Sequence, residues 1–116
     1  MSDVHGADEE ALANIRRLGG EALLGRMIGL FLQHSPARVA ALRAALSPPD
    51  LKALSAAAHG LKSSAGNFGA SDLVVVLAEI ERLADAANRA DYSTLVARAE
   101  ELYARLCAAL GALGGR

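Results

Sequence analysis

The segment AAAHGLKSSAGNFGA, Ala56–Ala70, carries more information about this chain than any other. Wound into a helix at about 100° per residue, it sorts into two unlike faces. Leu54, Ala57, Leu61, Ala65 and Phe68 fall on one side and read as the buried stripe of a bundle helix. Lys52, Ser55, Ala56, His59, Lys62, Ser63 and Gly66 fall on the other. A solvent face usually carries Glu, Lys, Arg and Gln, which favour helix and hydrate well. Here small residues surround one imidazole, with an ammonium one turn along. Gly60 follows the histidine at a helix-interior position, where glycine costs about 1 kcal/mol against alanine. A local rule broken without local benefit points to function.

Trimming the side chains around one histidine lets another macromolecule bring its backbone close to the ring. Lys62, at i+3, reaches the same point in space. An anion carried by His59 would find that counter-charge and the Ser63 hydroxyl within reach. A phosphoryl group fits the description, since it adds roughly −1.5 to −2 charges and several acceptor oxygens. Imidazole suits the task as well, because its unperturbed pKa of about 6.5 leaves a neutral nucleophile near pH 7. One ring nitrogen attacks, Nε2 projecting furthest, while a hydrogen bond to the other orients the ring.

His59-Gly60-Leu61-Lys62-Ser63-Ser64-Ala65, followed by Gly69 and Ala70, resembles the H-x-L-K-[GS]-x-A-x-x-x-G signature of histidine-containing phosphotransfer (HPt) domains. The family often has glycine four residues after the histidine; Ser63 keeps that position small. Length and helix order fit the same family. The resemblance implies a four-helix-bundle module of a two-component phosphorelay, with His59 as phosphoacceptor. Its partners would be a response-regulator receiver domain and a hybrid sensor kinase. The receiver would supply the aspartate, the Mg²⁺ and most of the transition-state stabilisation, so this chain needs no cofactor of its own. The antiparallel neighbour beyond the Gly69 turn is the natural source of a ring-orienting group, and Glu81 is the candidate. The family commonly has Gln or Glu at the equivalent place. The competing reading of Glu81 is a solvated helix residue paired with Arg82 or Arg89.

The remaining residues bound the possibilities. With 116 residues the chain reads as one domain. Apolar residues reach 53% but aromatics only 3%, so the core is built of Ala, Leu, Val and Ile and favours close helix packing. The net charge is −1 and no basic stripe with interleaved aromatics exists, which argues against nucleic-acid binding. Cys107, the single cysteine, excludes an internal disulfide and reads as a small core residue. The polar, acidic start MSDVHGADEE is neither a signal peptide nor an anchor, and no run of eighteen apolar residues occurs. A cytoplasmic, monomeric protein without membrane contact is expected.

Along the chain, residues 1–7, including a solvated His5, are expected to form a flexible tail before a single domain over 8–113. Asp8-Glu9-Glu10 opens a short helix with Leu12, Ile15 and Leu18 inward, ending at Gly19-Gly20. A long helix follows with Leu24, Ile28, Phe31, Ser35, Val39, Leu42 and Leu46 inward; the stripe keeps phase across Pro36, so one kinked helix is favoured over two. His34 reads as a surface histidine. Ser47-Pro48-Pro49-Asp50 breaks the chain, and the signature helix runs from about 50 to 67. Ser71-Asp72 offers an N-cap for the next helix, with Leu73, Val76, Leu77, Ile80, Leu83, Ala84 and Ala87 inward. The last helix buries Tyr92, Leu95, Val96, Ala99, Leu102, Leu106, Ala109 and Leu110. The expected class is all-α: an antiparallel four-helix bundle with a short additional N-terminal helix.

On that scaffold His59 would accept the phosphoryl group, supported by Lys62, Ser63 and Glu81. Ser55, Ala56, Gly60, Gly66 and Lys52 would line the docking surface, with Leu12, Ile15, Leu23 and Leu24 around it, several of these four belonging to the core. No catalytic base, metal site or nucleotide loop accompanies His59, which argues against ATP-dependent self-phosphorylation. One alternative is an adaptor that docks on a receiver or sensor kinase and inhibits or scaffolds it without being phosphorylated. Another, a metal-carrying four-helix enzyme, would want Glu-x-x-His pairs, which the chain lacks.

Overall fold

A computed structural model describes residues 3, 4 and 6–114. Four helices account for almost all of it: α1 (Glu9–Ala44), α2 (Leu51–Gly66), α3 (Ser71–Asp85) and α4 (Tyr92–Gly114). Ahead of them two short strands, β1 (Asp3–Val4) and β2 (Ala7–Asp8), pair antiparallel. Each helix packs chiefly on two others, α1 and α3 both lying against α2 and against α4. Side-chain pairs give the directions. Ser55 meets Asp85 and His59 meets Glu81, so α2 and α3 run opposite ways. Ser35 meets Tyr103 and Arg43 meets Glu100, so α1 and α4 do too. Among the described residues no helix is long and apolar enough to cross a membrane.

The helix boundaries follow local chemistry. Asp8 caps α1, its carboxylate accepting from the Ala11 N–H at 3.3 Å, with Glu9 and Glu10 in the first turn where the helix dipole favours them. Gly20 departs from helical geometry at φ 72°, ψ −169°, and interrupts α1 where the glycine pair predicts a stop. The helix continues through Pro36, as the unbroken phase of its stripe predicts. Asp50 caps α2 through the Ala53 N–H at 3.1 Å, and Asp91 accepts from both the N–H and the hydroxyl of Thr94 at the start of α4. Gly69, the last glycine of the signature, holds φ 67°, and a Cβ there would collide with the side chain of Asp8. The Asp8 N–H donates to the Phe68 carbonyl at 2.9 Å, tying the start of α1 to this turn.

The core is the expected aliphatic one. Leu54, Ala57, Leu61, Ala65 and Phe68 of the α2 stripe are all buried. Leu24, Ile28, Phe31, Ser35 and Leu42 join them from α1, with Leu73, Leu77, Ile80 and Ala84 from α3 and most of the α4 set. Val39, Leu46, Val76, Leu83, Leu95 and Cys107 are partly buried around this cluster. Burial pushes the Cys107 thiol up, away from the thiolate range. Leu12, Ile15 and Leu24 belong to the core and Leu23 to its margin, not to a free surface. His34 is exposed, as expected, and His5 lies outside the described residues.

Four expectations need correction. The tail over residues 1–7 is not loose at Ala7, which is fully buried, nor at Asp3 and Val4, which pair with β2. The small Ala7 side chain fits under the bundle because Gly6, at φ 107°, lets the chain pass close to the Leu106 backbone. Leu18 is 82% exposed; it lies next to the interruption at Gly20 and meets no neighbour that would cover it. Ser71 is the first residue of α3 and caps nothing: Ala70 holds the boundary without a side-chain bond, and the Ser71 hydroxyl turns back to the Gly69 carbonyl. Ala87 is exposed, not inward. It closes α3 in the left-handed region at φ 54°, where Asn88 N–H reaches the Leu83 carbonyl and Ala87 N–H the Ala84 carbonyl.

Two measurements test this account. Leu77→Ala should lower stability in urea titration by about 3 kcal/mol, while Leu18→Ala should change it by less than about 0.5 kcal/mol. Ala87→Gly should raise stability by about 0.5 kcal/mol, because relief of left-handed strain outweighs the added entropy of the unfolded chain.

Candidate functional site

Helix α2 lies between α1 and α3, and its small-residue face turns outward. His59 stands on that face with 63% of its side chain exposed. From α3, one turn before the helix ends, Glu81 reaches across the interface. Its Oε2 is 2.9 Å from His59 Nδ1. Its Oε1 is 2.7 Å from Lys62 Nζ. A carboxylate only accepts hydrogen bonds, so Nδ1 carries the proton and, in the neutral ring, Nε2 keeps its lone pair. No described residue occupies Nε2.

One carboxylate thus joins three residues that are separated by up to 22 positions in sequence. The Lys62 ammonium is the one partner of the buried Oε1 among the described residues. The Lys62 ammonium, more than the His59 N–H, holds the Glu81 carboxyl below its ordinary range; partial burial opposes them. The pairing with Arg82 or Arg89 does not form. Arg82 is engaged instead by Glu79, its own neighbour at i−3.

The other candidate residues divide into three groups. Ala56, Ser63 and Gly66 are exposed on the same face as His59, and the one hydrogen bond of the imidazole among the described residues goes to Glu81. Ser55 and Lys52 line a shallow groove that runs from His59 toward the start of α2, walled on the α3 side by Glu81, Ala84 and Asp85. The Ser55 hydroxyl donates to Asp85 Oδ1, so it is already spent within the protein. Gly60 is not bare. The Arg38 guanidinium, from α1, lies across it so closely that a Cβ at Gly60 would overlap Nη1.

Arg38 and Asp85 are the residues that sequence reasoning missed. Asp85 had a signal, since it stands four residues after Glu81 and shares its helix face. Arg38 had none, because its proximity depends on how α1 crosses α2.

The chain matches the Hpt domain family over residues 26–109. It belongs to that family. Its fold is also that of histidine-containing phosphotransfer protein B (HptB) from Pseudomonas aeruginosa PAO1. The two agree with a TM-score of 0.87 at 24% identity, over 96% of each chain. No curated protein matches the sequence. The family match covers α2 and α3 entirely, and so includes the whole His59–Glu81–Lys62 group.

The Glu81 contact predicts a pH dependence. Its folded pKa is depressed, so the stability it contributes is complete above the unfolded value of about 4.3 and is lost as pH falls through the folded one. Wild type should exceed Glu81→Ala in stability at pH 7, and the gap should close below pH 4 in urea titrations. At alkaline pH, ¹H–¹⁵N spectra should place the wild-type imidazole proton on Nδ1, and Glu81→Ala should lose that preference.

Proposed function

We propose that His59 accepts a phosphoryl group at Nε2 and exchanges it with an aspartate of a response-regulator receiver domain. One observation carries this reading: an exposed imidazole has one nitrogen held by a carboxylate and the other free, on a face stripped of bulky side chains. Membership of the Hpt domain family supports it, as does a fold shared with a protein described as a histidine-containing phosphotransfer protein. We read the architecture accordingly, as an antiparallel four-helix bundle whose residues before Gly20 form the additional N-terminal helix.

The chemistry balances without a base in this chain. The Nε2 lone pair attacks phosphorus in the partner's aspartyl phosphate. The N–P bond forms as the P–O bond breaks, and that bond's electron pair leaves with the aspartate carboxylate. The Nδ1 proton stays in place, so the phosphorylated ring becomes cationic and its hydrogen bond to Glu81 becomes charge-assisted. Glu81 orients the ring and stabilises that charge; Lys62, paired to the other oxygen, keeps the carboxylate ionised and aimed. Lys62 and the Ser63 hydroxyl are within reach of the phosphoryl oxygens, and Ala56, Gly66, Ser55 and Lys52 border the surface a receiver would cover. The partner supplies Mg²⁺ and most of the catalysis. This chain is then a carrier without kinase activity of its own, acting as a cytoplasmic monomer between a hybrid sensor kinase and a receiver.

Incubation with a ³²P-labelled receiver domain tests the proposal. Wild type should acquire acid-labile, alkali-stable label and His59→Gln none. Undiminished labelling of His59→Gln would refute it. A wild-type chain that binds the receiver but takes no label would establish the adaptor role instead.

A further inference from the structure

We propose that Arg38 is the cation that meets the phosphoryl group on His59, and that position 60 is glycine to admit it. The inference rests on the preceding reading of His59 as phosphoacceptor and adds a residue from α1 to that site.

The first argument is direction. Helix α2 has α3 on one flank and α1 on the other. Glu81 of α3 holds Nδ1, so the Nε2 edge of the ring faces away from α3. Arg38 approaches from α1, on the opposite flank of α2. Its Cζ would lie 2.9 Å, and its Cδ 3.3 Å, from a Cβ at Gly60, the residue next to His59 in the chain. The guanidinium therefore lies over the backbone of the residue that follows His59, on the α1 side of α2 and away from Glu81.

The second argument is charge. The cation expected from sequence to serve the phosphoryl group is Lys62, yet it stands 2.7 Å from Glu81 Oε1 and is already compensated. Of the other α1 arginines, Arg16 is held by Glu21 and Arg43 by Glu100, while Arg17 and Arg26, which are unpaired among the described residues, do not lie against Gly60. Arg38 contacts no carboxylate among the described residues, although it is exposed and long enough to find one. An uncompensated guanidinium presents a planar fork of donors that matches two phosphoryl oxygens at once, where an ammonium offers only a point charge.

The third argument is the glycine. A helix-interior glycine is less favourable than alanine, and a neighbouring side chain that fills the place of its Cβ gives it a steric reason. At Gly60 the space is filled by Arg38; at Gly66, on the same face, a Cβ would meet nothing within 4 Å. The competing account is that Arg38 merely lays its aliphatic stem over the alanines of α1 and α2, with its charge directed to water. The two accounts differ in what the phosphoryl group feels.

The test uses the intact chain loaded by phosphoramidate, which transfers its phosphoryl group to the imidazole with release of ammonia and needs no docking partner. ³¹P NMR then follows the monoanion–dianion titration of the phosphohistidine. A nearby cation favours the dianion and lowers the midpoint. Arg38→Ala should raise it by about half a pH unit at low salt, an effect that shrinks in high salt. Arg38→Lys should fall between. Gly60→Ala should produce the same rise by displacing the guanidinium, and the double variant no more than either alone. Arg43→Ala, on the same helix but held by Glu100, should leave the midpoint unchanged. An unchanged midpoint in Arg38→Ala would overturn the proposal, as would a rise in Gly60→Ala that adds fully to that of Arg38→Ala. A wild-type chain that takes no phosphoryl group on His59 would instead overturn the phosphoacceptor reading, and this one with it.

Discussion

Glu81 can serve two partners on α2 only if α2 and α3 are locked in one register, and the energetics say what does the locking. Exposed ion pairs contribute about 0–1 kcal/mol each, too little to align two helices. Burying one leucine or isoleucine contributes about 1.5–3 kcal/mol, and the interface between α2 and α3 holds several, with Leu54, Leu61, Leu73, Leu77 and Ile80 all essentially inaccessible. The apolar stripe therefore sets the register, and the carboxylate follows. Ala57, Ala58 and Ala65 of α2 are buried with them. The polar site is a consequence of close packing rather than its cause.

The same constraint explains what could be read from sequence. The α2 stripe repeats at three and four residues, and its burial was legible because periodicity encodes which side faces the core. Glu81 was legible because the α2–α3 connection is short: with the turn at Gly69 fixed, antiparallel pairing carries position 59 to the neighbourhood of 81. Both inferences need only local geometry. Leu18 failed because periodicity says which way a side chain points but not whether anything lies there to cover it. Ala87 and Ser71 failed at helix ends, where backbone geometry competes with composition. A left-handed closure usually recruits glycine, and an N-cap usually recruits serine, but here alanine does both jobs. Ala7 failed because a polar, acidic stretch gives no hint that one small residue within it is clamped against α4.

Arg38 marks the limit of such reading most clearly. It lies 22 residues before Gly60 across a proline-containing break, and nothing in its local pattern distinguishes it from the other arginines of α1. Its place is set by the crossing of α1 over α2, which the sequence does not state. What the sequence did state was the anomaly on the other side of the contact. A glycine was present where alanine is cheaper, and the structure answers it with a side chain from elsewhere.

The arrangement around Glu81 also bears on why two cations would be needed at one phosphoryl site. The carboxylate has two oxygens and gives one to the imidazole and one to the ammonium. In the proposed reaction the ring gains positive charge while the group attached to it brings about two negative ones. Glu81 must remain ionised to stabilise the ring, yet its own charge opposes the incoming phosphoryl group a few ångströms away. Lys62 offsets that opposition while it remains paired with Glu81, and it cannot then also be the full counter-charge of the phosphoryl group. If Lys62 swung outward to the phosphoryl group, the buried Oε1 would lose the one partner it has among the described residues. A second cation on the opposite flank removes the conflict. With Arg38 on the α1 flank, as proposed, and Lys62 on the Glu81 side, both anions would be matched at the same time. Two flanking helices would thus give the central one a site that it could not build alone.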